Sequence, residues 1–331
     1  MTRLTRRRFL AISAAAGLSA TRADTAPTAR WRGIALGARA EMRLVGMSGA
    51  EAAPIFEAVE AELTRLEDIF SLYRATSAVS TLNRDGVLDA PPAELLQVCS
   101  LATALHRASG GAFDPTVQPL WSLAARAVAE GTLPSDAEII RARALVNWSN
   151  LRFDTTRIAF AHAGMAITLN GIAQGFVTDK IAEMLRRSGL SDVLIDFGEL
   201  RASGRTAHGG AWNVGIAQSD TDDCCERRVT LSDRALATSA TFGTVIDDAG
   251  KIGHILDPRT GRPALHVRQA SVSAPTAAVA DGLSTALCAM APQNHNAVQA
   301  AFPFARIEHM TVQAGTEPDR LTHNVPQGIR L

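Results

Sequence analysis

ITLNGIAQGFVTDKIAEMLRRSGLSDVLIDFG, residues Ile167–Gly198, is the stretch around which the chain is organised. The apolar run Met165–Leu169 predicts a short strand, and Asn170-Gly171 predicts a turn. Phe176, Ile181, Met184 and Leu185 then fall on one helical face, with Thr178, Asp179 and Lys180 as polar positions. Gly189 is placed to stop that helix in the left-handed conformation. Val193-Leu194-Ile195 predicts a buried strand that ends at Asp196-Phe197-Gly198-Glu199. The unit is therefore strand, glycine turn, helix, strand. A glycine turn at a helix N-terminus offers free N–H groups and the positive end of the dipole, which suits a phosphate. The same glycines also serve where two backbones must pack closely. No Gly-Lys-Ser/Thr follows, so this is not a P-loop, and the spacing is not a dinucleotide fingerprint.

Working outward toward the N-terminus, Ser135–Leu145 predicts a short helix with Ser135 as its cap, and Leu120–Ala129 another. Ala112–Thr116 is a turn behind Gly110-Gly111, which stops a helix over Pro91–Ser109. Ser71–Gly86 reads as a polar loop. Ala50–Phe70 is a helix, with Ile55, Val59, Leu63, Leu66 and Phe70 on one face and glutamates on the other. Trp31–Val45 predicts a strand or hairpin interrupted at Leu36-Gly37. The first residues are an address rather than structure. Thr5-Arg6-Arg7-Arg8-Phe9-Leu10 carries twin arginines, and Leu10–Ala20 is an alanine-rich apolar run too short to cross a bilayer. The division expected is a twin-arginine signal peptide over residues 1–23, cut after Ala20 or Ala23, and one domain over residues 25–331. An amphipathic N-terminal helix is the alternative. Twin-arginine export places the mature protein in the periplasm.

Toward the C-terminus strands dominate. Leu200–Gly204, Ala211–Ile216 and Arg227–Leu231 predict an antiparallel meander, continued by Ala235–Ser239 and Thr244–Asp247. Asp248-Ala249-Gly250 turns into Ile252–Leu256, and Asp257–Gly261 is a second tight turn. Val267–Ala274 is a strand, Thr276–Met290 a helix, and a helix and one or two strands follow. Helices early and strands late give an α+β fold with largely antiparallel sheets and packed helices.

Composition excludes some functions. The 33 basic residues balance the 33 acidic ones, which gives no electrostatic reason to expect nucleic acid. Cys99, Cys224, Cys225 and Cys288 fit no zinc spacing and read as mostly free thiols, with room for one surface pair. Three positions could carry chemistry. His254 stands before the Asp257-Pro258 turn, either as a structural histidine or as a general base near neutral pH. Asp281 and Thr285 are one helical turn apart, so their oxygens share a face. They suit a hard cation such as Mg²⁺ with substrate phosphate as a further ligand; the alternative is a helix-terminal acid beside a buried threonine. As a ligand, Asp281 is expected to face the surface rather than the core.

Six blocks, in order, resemble the FAD:protein FMN transferase family, the ApbE-type flavin transferases. They are Ser71-Leu72-Tyr73-Arg74 with Ser77 and Leu82-Asn83; Gly111-Ala112-Phe113-Asp114-Pro115-Thr116-Val117; Leu169–Gly175 with Asp179; Ala237-Thr238-Ser239; His254-Ile255-Leu256-Asp257-Pro258-Arg259-Thr260-Gly261; and Ala280-Asp281 with Thr285-Ala286. The resemblance implies an ApbE-like (T-fold-like) architecture. It also implies an enzyme that moves FMN from FAD onto a Thr or Ser hydroxyl of an acceptor flavoprotein, with Mg²⁺. It assigns metal binding to Gly171, through its carbonyl, with Asp281 and Thr285. FAD contacts go to Leu36, Tyr73, Ala112, Phe113, Asp114, Thr168, Gln174 and His254, and catalysis to His254 and Asp281. This chain departs from the family pattern at Thr168 (usually aspartate), Asn170 (usually glycine), Gln174 (usually lysine) and Phe197 (usually glycine). Two other readings stand beside transfer: an FAD pyrophosphatase, and a non-catalytic FAD-binding maturation protein. The export signal and Trp31–Gly37 further resemble the NosX-type periplasmic members associated with nitrous oxide reduction, which implies a membrane-anchored acceptor.

Overall fold

The computed structural model describes residues 26–217, 225–246 and 253–312. The export segment, both cleavage positions, Cys224 and the Asp248-Ala249-Gly250 turn lie outside the described residues.

Seven antiparallel strands form the main sheet. In spatial order they are β1 (Thr28–Ala35), β2 (Ala38–Val45), β6 (Val193–Asp196), β7 (Leu200–Ser203), β10 (Arg234–Ala240), β13 (Val267–Ala274) and β14 (Arg306–Val312). Alternation along each strand sends successive side chains to opposite faces. One face carries Met42, Leu44, Val193, Ile195, Ala235, Ala237, Ala270 and Val272 into the principal core. Against it pack α1 (Gly49–Phe70), α3 (Ala93–Ala108), α6 (Ala173–Arg187) and α7 (Ala277–Ala289). Helix α1 inserts Val59, Leu63, Leu66 and Phe70, each buried and each contributing about 1.5–3 kcal/mol. Its start is fixed by a capping box between Ser48 and Glu51. The other face carries Leu194, Leu200, Ala202 and Leu236. It is covered by a separate hairpin, β8 (Trp212–Ala217) with β9 (Cys225–Leu231).

The remaining elements lie at the periphery. They are a three-stranded sheet of β3 (Val87–Asp89), β5 (Arg157–Phe160) and β4 (Leu151–Phe153), the short pair β11 (Leu256–Asp257) and β12 (Arg262–Pro263), and helices α2 (Ala78–Asp85), α4 (Gln118–Ala129), α5 (Asp136–Arg143) and α8 (His295–Ala301).

Four expectations are corrected. Met165–Leu169 is not a strand: the Ile167 backbone pairs with the Asn83 side chain at both N–H and C=O, 2.7 and 2.8 Å, rather than with a ladder. The loop expected over Ser71–Gly86 contains α2, capped by Ser77 and ended by Gly86 in the left-handed conformation. It buries only Val79 and Leu82, too few apolar positions to show a period. The expected meander is split, because β7 pairs with β6 and β10 while, among the described residues, β8 and β9 pair only with each other. Of the strands expected at Thr244–Asp247 and Ile252–Leu256, the described residues show one bridge, Val245 to Gly253, and the pair β11–β12. Cys99 and Cys288 are buried free thiols.

Candidate active site

Helices α6 and α7 meet at their N-terminal ends, and each supplies an acid to the other. The Asp179 carboxylate on α6 accepts from Ala277 N–H (2.8 Å) and Ala278 N–H (2.9 Å), two of the N–H groups that the start of α7 leaves unpaired. Asp281 on α7 accepts from Gly175 N–H in the first turn of α6 at 3.0 Å. The crossing is close because Gly175 has no side chain: a Cβ there would lie 2.4 Å from the Ala277 carbonyl oxygen. A Cβ at Gly171 would meet the Thr285 hydroxyl at 2.9 Å. Gly171, Gly175, Asp281 and Thr285, far apart in sequence, thus converge on one turn.

Asp281 does not face the surface as expected. It is 3 % exposed, and burial pushes its carboxyl up to about 7, with the Asp179 charge adding to the rise. Two further acids, Glu199 and its neighbour Asp196, were not singled out as site residues. Glu199, at the β6–β7 turn, is pushed well above the usual carboxylate range by burial and by the charges of Asp281 and Asp196. Its Oε2 is buried with no hydrogen-bond partner among the described residues. Burial likewise lifts Asp196 to about 6. Their signal in the sequence was the polar end of a buried strand, Asp196-Phe197-Gly198-Glu199. Phe197, in place of a glycine, is fully buried and packs edge-on against Trp31 at 5.6 Å. Gln174 lies beside Gly198, where a Cβ would come within 2.9 Å of its amide nitrogen.

A second wall is gathered by Glu67 near the end of α1. Its carboxylate accepts from Leu36 N–H at 2.9 Å and pairs with Arg74. Glu67 thereby ties Leu36, at the β1–β2 hairpin tip with φ 48°, to Arg74, whose chain neighbour Tyr73 is 68 % exposed. Ala112, Phe113 and Asp114 are buried. Asp114 is committed inward, its carboxylate accepting from Thr116 N–H (2.8 Å), the Thr116 hydroxyl and Trp148 N–H (3.1 Å). Main-chain groups are what this loop has to present. Thr168 N–H donates to Pro115 O at 2.8 Å, which ties the loop to the turn before α6.

His254 is set up as an acceptor. Its Nδ1 lies 2.9 Å from the Thr244 carbonyl oxygen, which can only accept, so Nδ1 carries the proton and Nε2 a lone pair. Burial lowers its pKa and keeps the ring neutral. Among the described residues it hydrogen-bonds to neither Asp281 nor Thr285. Nor do these residues contain a group of three or more His, Cys, Asp and Glu able to hold a metal. The expected ligand set has only one such residue, Asp281, with a hydroxyl and a carbonyl.

This antiparallel sheet backed by helices is a fold shared with solved flavin transferases. A flavinyl transferase ApbE from Pseudomonas stutzeri in its apo form superposes with a TM-score of 0.70 at 28 % identity, over 84 % of this chain and 89 % of that one. The flavin transferase ApbE of Vibrio cholerae shares the fold, with a TM-score of 0.73 at 24 % identity over 88 % and 98 %. The profile of the ApbE family matches residues 36–305, and the chain belongs to that family. Its relatives include the FAD:protein FMN transferases of Haemophilus influenzae, 29 % identical over 70 % of this chain and 71 % of that one, and of Salmonella typhimurium, 26 % identical over 79 % and 78 %.

Proposed function

We propose that the protein transfers FMN from FAD to a Thr or Ser hydroxyl of an acceptor protein, releases AMP, and uses Mg²⁺ to do so. The carrying observation is the convergence of Asp281 and Thr285 on the Gly171–Gly175 turn. That donor set fits a small hard cation: one carboxylate, one hydroxyl and one carbonyl, with water and phosphate to complete an octahedron. The raised pKa of a carboxyl buried without a counter-charge among the described residues fits it too. Bound there, Mg²⁺ would neutralise charge on the pyrophosphate oxygens.

The chain's own residues supply the rest. Tyr73 and Leu36 present an apolar wall for the flavin or adenine ring. The first turn of α6 offers backbone donors to phosphate. The acceptor hydroxyl oxygen bonds to the FMN phosphorus, its proton passes to His254 Nε2, and the bond from that phosphorus to the AMP oxygen breaks with its electron pair leaving on AMP. The family resemblance and the named relatives support this reading. The twin arginines support a periplasmic enzyme, and the NosX-type resemblance that they share with Trp31–Gly37 supports a membrane-anchored acceptor, with nitrous oxide reduction as the setting.

The test is to incubate the protein with FAD, Mg²⁺ and candidate acceptor domains. Acceptor mass should rise by one FMN, with one AMP released. AMP with free FMN and no acceptor gain would mean that water is the nucleophile. Arg6→Lys with Arg7→Lys should leave unprocessed precursor in the cytoplasm; normal processing would refute the export route.

A further inference from the structure

Behind Thr285 lies a chain of buried hydroxyls whose direction can be read from its far end. Ser284 Oγ is 2.9 Å from the Asp281 carbonyl oxygen. A carbonyl only accepts, so the single Ser284 hydroxyl proton is used there. Ser239 Oγ lies 2.8 Å from Ser284 Oγ, so Ser239 must be the donor to Ser284. Ser239 Oγ also lies 3.1 Å from Thr285 Oγ1. With its own proton already given, Ser239 can only accept from Thr285. Ser239 and Ser284 are both buried, and Cys288 Sγ donates to Ser239 O at 3.3 Å, which anchors the middle of the relay from the backbone side.

We infer that Ser239 and Ser284 are positioning residues that draw the Thr285 proton away from the site, so that Thr285 presents lone pairs toward Gly171 for the cation. The inference rests on the proposed metal site. It adds to that site the polarity of its neutral ligand. A threonine whose proton pointed at the site would repel a cation; the relay Thr285 to Ser239 to Ser284 to the Asp281 carbonyl forbids that rotamer. The relay closes on the main chain of the other metal-site residue, so both proposed α7 ligands are braced by one network.

The probe is Mn²⁺, titrated into the full chain with FAD present and acceptor absent, with free Mn²⁺ counted by its paramagnetic resonance signal. Ser239→Ala should raise the Mn²⁺ Kd by about 3- to 10-fold, the worth of one oriented hydrogen bond. Ser284→Ala should do the same without touching Thr285, because Ser239 is then free to donate toward it. The double variant should equal either single one, and Ser239→Ala should have no effect in a Thr285→Val background. Purely structural serines would lower the Tm and leave Mn²⁺ affinity as it was. Unchanged affinity in Ser239→Ala and Ser284→Ala, or effects that multiply in the double variant, would overturn the relay. Parental affinity in Asp281→Ala would instead overturn the metal site beneath it.

Discussion

At the scale of single residues, Asp281 has two incompatible needs. Buried, its carboxyl titrates at about 7 instead of near 3.8. Between those values the folded protein holds a proton that the unfolded chain has released. Stability of the metal-free protein therefore falls as pH rises through this window and is lowest above it. Asp281→Asn, which mimics the protonated acid, should stabilise the metal-free protein at pH 8 by up to about 4 kcal/mol, with the gain vanishing near pH 4. Mg²⁺ should raise the Tm of the parent at pH 8 and leave that of Asp281→Asn unmoved. Urea melts at both pH values, with and without Mg²⁺, measure all of this; a pH-independent difference would show that Asp281 is ionised throughout. Tyr73 is the other residue to single out. Its exposed ring is expected to stack on FAD, so Tyr73→Ala should weaken FAD binding by about 1 kcal/mol, roughly fivefold in Kd. Fluorescence titration reads that directly, and an unchanged Kd would place the ring elsewhere.

At the scale of elements, the α6–α7 crossing is the part most sensitive to a single methyl group. Gly175→Ala sets a Cβ against the Ala277 carbonyl, so the helices must separate. A loss of about 1–3 kcal/mol follows. Asp179→Ala should cost about 1–2 kcal/mol through the lost cap. Chemical denaturation measures both, and near-parental stability of Gly175→Ala would mean that the crossing is looser than drawn. Much of this region was legible in the sequence. The apolar period marked α6, Gly189 stopped it, and the spacing of Asp281 and Thr285 put both on one face of α7. The crossing was not legible, because nothing in Asp179 or Gly175 says which distant helix each will touch. Short α2 was missed although Ser77 and Gly86 are sound caps, since eight residues with two buried side chains carry no period. Asp281 looked like a surface ligand because spacing gives a face of a helix, never what covers that face.

At the scale of the whole molecule, the sheet has one face for the site and one without it. The β8–β9 hairpin closes the second face with its own apolar cluster, in which Trp212 is buried and donates from Nε1 to Ser203 O at 3.0 Å. Trp212→Ala should cost about 3–5 kcal/mol of stability. Metal and FAD affinity should stay parental at temperatures where the protein remains folded, since no member of that cluster lies on α6 or α7. Calorimetric unfolding with FAD titration checks both halves; altered affinity would show that the two faces are coupled.

The exchange of acids between the two helices bears on how descendants of this protein would be diagnosed. Asp281 holds the first turn of α6 whether or not any reaction takes place. A lineage that gave up its chemistry would still be under selection to keep an acceptor there, for the sake of the fold. Survival of that aspartate in a divergent copy is therefore poor testimony that the copy still works. Thr285 holds no backbone group: its hydroxyl reaches only Ser239 among the described residues. Loss of the Thr285 hydroxyl would be the first mark of a retired enzyme.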